Sequence, residues 1–227
     1  MRKFLCVFIL LTVLTCVLSS CDLPFLSGEE TTAQTFEQTT ETILEETFSS
    51  TWGLDYQVNE DGVTCAIVGI GTCTDSNVYI GGYIDGYKIT AIADRAFWSC
   101  ESLVNIKIDD SVAIIGNEAF WKCENLISIT LGDSVTTIQN HVFEYCRNLT
   151  RVIIGDSVTT IGYCAFSYCD NLTSAIFVNP NGWWCSQEEK ATSGKTISVK
   201  DLSNFANAAN YLKSPECYCW YYWYRTK

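Results

Sequence analysis

The chain has 227 residues and a formal charge of −12, enough length for one or two domains. That acidity excludes the basic footprint nucleic-acid binding requires, so no nucleic-acid partner is expected. Thirteen cysteines against a single histidine suggest a disulfide or zinc framework, but there is no Cys-x-x-Cys and no mixed Cys/His set at zinc spacing.

Arg2 and Lys3 open a short positive region, and the apolar run Phe4 to Leu18 is too short to span a bilayer. It ends in Leu18-Ser19-Ser20-Cys21. This sequence resembles the bacterial lipobox, which implies cleavage before Cys21, acylation of its thiol and a lipid anchor to the membrane. An ordinary secretory signal and an uncleaved anchor are the alternatives. Each places the working chain outside the cytoplasm, and the first places it on a bacterial cell surface.

Residues 21–51 read as a disordered, acidic, Thr-rich tether. Asp22 to Thr51 holds seven acidic residues, eight threonines and no Lys or Arg, with too few apolar residues for a core. Residues 52–80 read as an N-terminal cap of short strands: Tyr56-Val58, Cys65-Gly69 and Val78-Ile80, with a turn at Asn59-Gly62. Cys65 and Cys73 can pair here or stay as thiols on neighbouring strands.

From 81 to 177 one unit recurs every 23 residues: Ala96-Phe97, Ala119-Phe120, Val142-Phe143 and Ala165-Phe166; Cys100, Cys123, Cys146 and Cys169; Leu103, Leu126, Leu149 and Leu172; Ile92, Ile115, Ile138 and Ile161. A fixed period of this size marks a solenoid whose coils bury their apolar faces against one another. Leu126, Ile129 and Leu131 alternate with Ser128 and Thr130, which predicts a strand with one buried face. Val135 to Ile138 is a second extended arm, and His141 to Cys146 reads as one helical or 3₁₀ turn. The expected fold is mainly β: about five coils, with caps at both ends and one amphipathic helix in the C-terminal cap.

The pattern Leu-x-x-Ile-x-Ile/Leu, Ser-Val-x-x-Ile-Gly, Ala-Phe-x-x-Cys resembles the leucine-rich repeat of BspA-like bacterial surface proteins. Tyr56, Asn59-Gly62 and Val68-Cys73 resemble the family's lead-in, and Gln139 and Val142 depart from the usual Gly and Ala. The resemblance spans about 54–177. It implies a surface protein engaged in adhesion or protein binding, and it carries no catalytic residues.

Stacked cysteines lie within disulfide reach, but parallel neighbours aim their Cβ atoms the same way, so buried thiols are expected. Outward residues define two candidate binding surfaces. The turn edge presents Trp98, Trp121, Tyr145 and Tyr168, aromatic types favoured as interface anchors. The outer face of the Leu strand presents Lys107, Thr130, Arg151 and Ile153. His141 lies where Arg95 and Glu118 lie in other coils and is expected to be exposed. Without a nucleophile and acid beside it, it forms no triad, so a non-catalytic role is expected. Asn148-Leu-Thr150 and Asn171-Leu-Thr173 are sequons produced by the repeat itself.

Residues 178–227 read as a C-terminal cap. Trp183-Trp184 and Thr196-Val199 are strands, and Ser203–Lys213 is a helix burying Leu202, Phe205, Ala208, Ala209 and Leu212, capped by Ser203 or Asp201. Tyr218–Tyr224 is expected to form an aromatic lid on Phe177 and the helix. The composite reading is a lipid-anchored, non-catalytic surface module without cofactor or metal, binding an unknown macromolecule, protein or glycan. A self-associating structural module and a carbohydrate-binding accessory protein are the alternatives.

Overall fold

A computed structural model describes residues 50–213 and 221–226. The signal segment, Cys21, residues 22–49 of the expected tether, Pro215, Cys217, Cys219 and the start of the aromatic lid lie outside the described residues. All described residues fall in one compact unit, Glu45–Lys227.

The elements run β1 (Asp55–Val58), β2 (Thr64–Gly69), β3 (Asn77–Ile80), β4 (Tyr83–Ile84), β5 (Tyr87–Ile92), β6 (Asn105–Ile108), β7 (Ile114–Ile115) and β8 (Ser128–Thr130). Then come β9 (Thr137–Ile138), β10 (Arg151–Ile154), β11 (Thr160–Ile161), β12 (Ser174–Phe177), β13 (Trp183–Ser186) and β14 (Lys195–Thr196). The short helix α1 (Val199–Leu202), α2 (Phe205–Lys213) and β15 (Tyr222–Arg225) complete the order. The fold is mainly β, as the repeat pattern predicts.

Two parallel sheets form two walls of the solenoid. The first has the order β12-β10-β8-β6-β3. In the second, β2-β5-β7-β9-β11 run parallel and antiparallel strands close both ends. Alternation in the sequence fixes which face is buried: Ile106, Ile129, Val152 and Ala175 share one inward row, and Val112, Val135 and Val158 another. A slip of one residue would turn every apolar side chain outward, so the inward pattern locks the register. Parallel pairing already includes β2 and β3, ahead of the region where the 23-residue motif is legible. Asn77 and Asn105 pair although 28 residues apart, because the β4 strand and its turn at Asp85-Gly86 enlarge that coil.

The third wall is made of turns. In each coil the first and fifth residues of the turn segment have positive φ: Arg95 and Ser99, Glu118 and Lys122, His141 and Tyr145, Cys164 and Tyr168. A left-handed residue stops helix propagation, so the expected helical turn becomes a chain of single turns such as Trp121 N–H to Glu118 O and Cys123 N–H to Phe120 O. The intervening N–H groups are donated to the next coil, as Arg95 to Asn117, Phe97 to Ala119 and Ser99 to Trp121. Every peptide group needs a partner, and here the neighbouring coil supplies what a helix would have supplied internally.

Inside this wall Phe97, Phe120, Phe143 and Phe166 stack with centroids 5.0, 5.3 and 5.1 Å apart. Beside them the cysteine row consists of buried thiols without disulfide bonds, as expected. Each thiol from Cys123 onward donates to the phenylalanine carbonyl of the preceding coil: Cys123 to Phe97, Cys146 to Phe120 and Cys169 to Phe143, at 3.0 to 3.1 Å. Burial pushes the Cys146 and Cys169 thiols well above the ordinary range. Cys65 and Cys73 are also free thiols.

The ends are closed differently. Thr51 N–H donates to Tyr79 O while Thr51 Oγ1 accepts from Tyr79 N, so residues 50 and 51, expected in the tether, line the edge of β3. At the other end α2 packs on β12, and β15 continues the second sheet beyond β11. Trp223 stacks on Phe177 at 6.0 Å and meets Tyr211 of α2, which matches the expected aromatic lid over its described part. Two details of the helix differ from expectation. Asn204 is the capping residue, accepting from Asn207 N–H at 3.0 Å, because Asp201 and Ser203 are taken up by the end of α1. Phe205 is half exposed, since only Ala208, Ala209 and Leu212 of α2 face the core.

Candidate functional site

With the inward positions committed to packing, chemistry is confined to the outward ones. The two candidate sets lie on different walls. Lys107, Thr130 and Ile153 are cross-strand partners on the outer face of the first sheet, and Arg151 belongs to the adjacent row with Ser128. The Lys107 ammonium lies 5.3 Å from the Tyr79 ring, whose hydroxyl donates to Asp109, so the cation is partly satisfied within the sheet face.

Trp98, Trp121, Tyr145 and Tyr168 all lie on the turn wall and form one continuous strip. The strip changes register midway. Trp98 and Trp121 share one repeat position and stack at 5.3 Å, nearly parallel. Tyr145 and Tyr168 share the next position and stack at 4.5 Å. The two pairs join edge to face, Trp121 against Tyr145 at 5.6 Å. Trp98 is 51% and Tyr168 37% exposed, while the two inner rings are half-buried.

The shift leaves Glu144 in the tryptophan register, and beside the strip lies a cleft of about 550 Å³ lined by Arg95, Trp98, Glu118, Trp121, His141 and Glu144. Its charges alternate along the axis. Arg95 pairs with Glu118 at 2.8 Å and holds that carboxyl below its usual range through the hydrogen bond. Glu144 accepts from the Trp121 indole at 3.1 Å and lies 2.9 Å from His141 Nδ1. The hydrogen bond to Glu144 raises the imidazole above its usual range against the opposing effect of burial. His141 is therefore half-buried in a cleft, which corrects its expected exposure; Tyr163 of the next coil covers it edge-on at 5.7 Å.

The fold also gathers a set that linear spacing does not show. His141, Glu144 and Cys164 present ligand atoms within 4.8 Å of one another. Cys164 lies one repeat after His141, at the same turn position, so reading the repeat columns across coils is the signal that would have found the pair. Asn148 and Asn171 are exposed, and their side chains hydrogen-bond to each other at 3.2 Å.

A parallel three-walled coil, an inward Leu/Ile/Phe/Cys register and a variable exterior define a leucine-rich-repeat solenoid. Residues 86–182 match the family model described as "BspA type Leucine rich repeat region", in six copies. Among solved structures, the leucine-rich-repeat protein of T. pallidum is similar, with 29% identity and a TM-score of 0.53, over 57% of this chain and 60% of that one. A leucine-rich-repeat protein from Bacteroides capillosus is 20% identical with a TM-score of 0.48, over 57% of this chain and 96% of that one. One from Bacteroides ovatus is 24% identical with a TM-score of 0.44, over 59% of this chain and 41% of that one. The chain thus spans about 60% of the length of the T. pallidum protein. No match was found among curated proteins.

Proposed function

We propose that the chain is a non-catalytic binding module held at the bacterial cell surface by a lipid on Cys21, and that it grips a protein partner through the turn wall. The carrying observation is the aromatic strip beside a cleft of alternating charge. Large rings fixed by their neighbours lose little conformational entropy on binding, and paired charges at the rim supply orientation. The ring arrangement favours a protein over a glycan. Sugars stack on open ring faces, whereas Trp98 and Trp121 cover one face of each other and Tyr145 and Tyr168 do the same. Lys107, Thr130, Arg151 and Ile153 form a second, flatter surface of the same module.

The test immobilises the chain and compares its capture of surface proteins with that of Trp98→Ala/Trp121→Ala and of Lys107→Ala/Arg151→Ala. Loss in the tryptophan variant alone supports the turn wall. Equal capture by the tryptophan variant and the wild type overturns it. Glycan-array binding that needs Trp98 and Trp121 returns the carbohydrate reading, and concentration-dependent dimers returns self-association. For the anchor, Cys21→Ala is expected to leave the membrane fraction; retention there refutes lipidation at Cys21.

A further inference from the structure

We propose that His141, Glu144 and Cys164 form a binding site for a borderline-soft divalent cation, Zn²⁺ foremost, at the junction of two adjacent coils. The inference is independent of any protein partner. The three ligand atoms lie within 4.8 Å of one another, and His141 Nδ1 and Glu144 Oε2 are already 2.9 Å apart. Tetrahedral zinc with one nitrogen, one oxygen and one sulfur ligand sets donor separations of about 3.3–3.6 Å, so side-chain rotations of about 1 Å complete the set.

The backbone fixes all three positions. His141 and Cys164 occupy the same left-handed turn position in successive coils, with φ of 57° and 53°. The bond from His141 N–H to Tyr163 O, 2.9 Å, ties one to the other. Glu144 is held one turn away through its N–H to His141 O. Its carboxylate is oriented by the Trp121 indole, the kind of outer partner that aligns metal ligands.

Ligand chemistry selects the ion. Imidazole and thiolate exclude Ca²⁺ and Mg²⁺, which take oxygen ligands, and suit Zn²⁺. On binding, the Cys164 thiol proton and any proton on His141 are released to solvent, so that neutral imidazole with one carboxylate and one thiolate balances the divalent charge; Cys164 is 4% exposed, while His141 and Glu144 open onto the cleft. Three protein ligands leave a fourth position for water. The arrangement is particular to this junction. The His141 position is Arg95 and Glu118 in earlier coils, and the Glu144 position is Trp98, Trp121 and Ser167 elsewhere. Among the described residues no other His/Cys/Asp/Glu group of three meets the same distance limit.

The experiment titrates the reduced full chain with Zn²⁺ alone by calorimetry, and with Co²⁺ followed by its thiolate charge-transfer absorption. The wild type is expected to take one ion with the thiolate band present. Loss of an outer-shell partner costs about 10–100-fold in affinity, so loss of a ligand is expected to cost at least about 100-fold. Cys164→Ser should lose the cobalt band. His141→Arg, which copies Arg95 at a position of the same backbone conformation, keeps the test open if the serine variant misfolds. A Cys217→Ser/Cys219→Ser variant should bind as the wild type does. Absence of binding, or undiminished binding by His141→Arg, overturns the site.

Discussion

The phenylalanine stack permits a comparison in which burial is constant and ring contact varies. Phe97 and Phe120 are 1% and 0% exposed, so replacing either by Ala removes the same apolar side chain from equally closed surroundings. Either change is expected to cost about 3–5 kcal/mol from lost transfer energy and the cavity left behind. The neighbours differ. Phe97 meets one ring of the stack, at 5.0 Å, whereas Phe120 lies between two, at 5.0 and 5.3 Å. An offset or edge-on aromatic pair contributes about 0.5–1.5 kcal/mol beyond its area, so Phe120→Ala is expected to cost more by that amount. Urea unfolding of the two variants and the wild type, fitted with a common slope, measures the difference. A Phe97→Ala/Phe120→Ala cycle measures the pair coupling, expected in the same range. If Phe97→Ala costs as much as Phe120→Ala, and the cycle shows no coupling, the stack contributes only as buried area and the reasoning fails.

Further predictions use coil-to-coil geometry. Gly132 and Gly155 share one repeat position, but a Cβ at 132 would lie 2.3 Å from Asp109 O, whereas one at 155 would meet nothing nearer than 3.8 Å. Gly132→Ala is therefore expected to destabilise by about 1–3 kcal/mol through overpacking. Gly155→Ala should be neutral or stabilising by up to about 1 kcal/mol, and thermal melts separate the two. Lys122 is exposed with φ of 58°; Lys122→Gly is expected to raise stability by a few tenths to about 1 kcal/mol as the left-handed strain is relieved, and a loss would contradict that. Asn140 Oδ1 accepts from Tyr163 N–H at 2.8 Å, so Asn140→Ala should cost about 1–3 kcal/mol by leaving a half-buried donor unmet. The Asp156 carboxyl is held below its ordinary 3.8 by hydrogen bonds from Asn179 and then Arg225. A depressed folded value means that its stabilisation is present above the ordinary value and disappears as pH falls through the folded one. Asp156→Asn should therefore flatten the acid limb of a pH-stability curve, and an unchanged limb refutes the assignment.

The sequence discloses what the period repeats and conceals what it varies. Phe120 and Cys123 are readable as inward because their counterparts return at 23 residues, and the buried thiols follow from the parallel stack. Their acceptors are not readable: Cys123 reaches Phe97 O, a backbone atom of another coil whose direction depends on left-handed residues as ordinary as Ser99 and Glu118. The register shift from Trp121 to Tyr145 is visible in the numbering, but its result, Glu144 placed under the Trp121 indole, needs the coils in contact. His141 looks exposed because Arg95 and Glu118 stand in its column, yet Tyr163 and Glu144 enclose it. At the C-terminal cap Asp201, Ser203 and Asn204 are chemically competent caps within four positions, and only the end of α1 decides for Asn204.

The hydrogen-bonded thiol row has a kinetic consequence. Only the thiolate exchanges with disulfides, and burial suppresses it at Cys146 and Cys169. Before the coils close, the same sulfurs are ordinary reactive thiols at regular spacing along an open chain. In an oxidising medium the chain is thus in a race: closure of each coil must outpace cross-linking. A molecule that wins needs no disulfide to persist, whereas one that loses is trapped in a covalent tangle that the native stack, with its sulfurs aimed at carbonyls, has no means to accommodate.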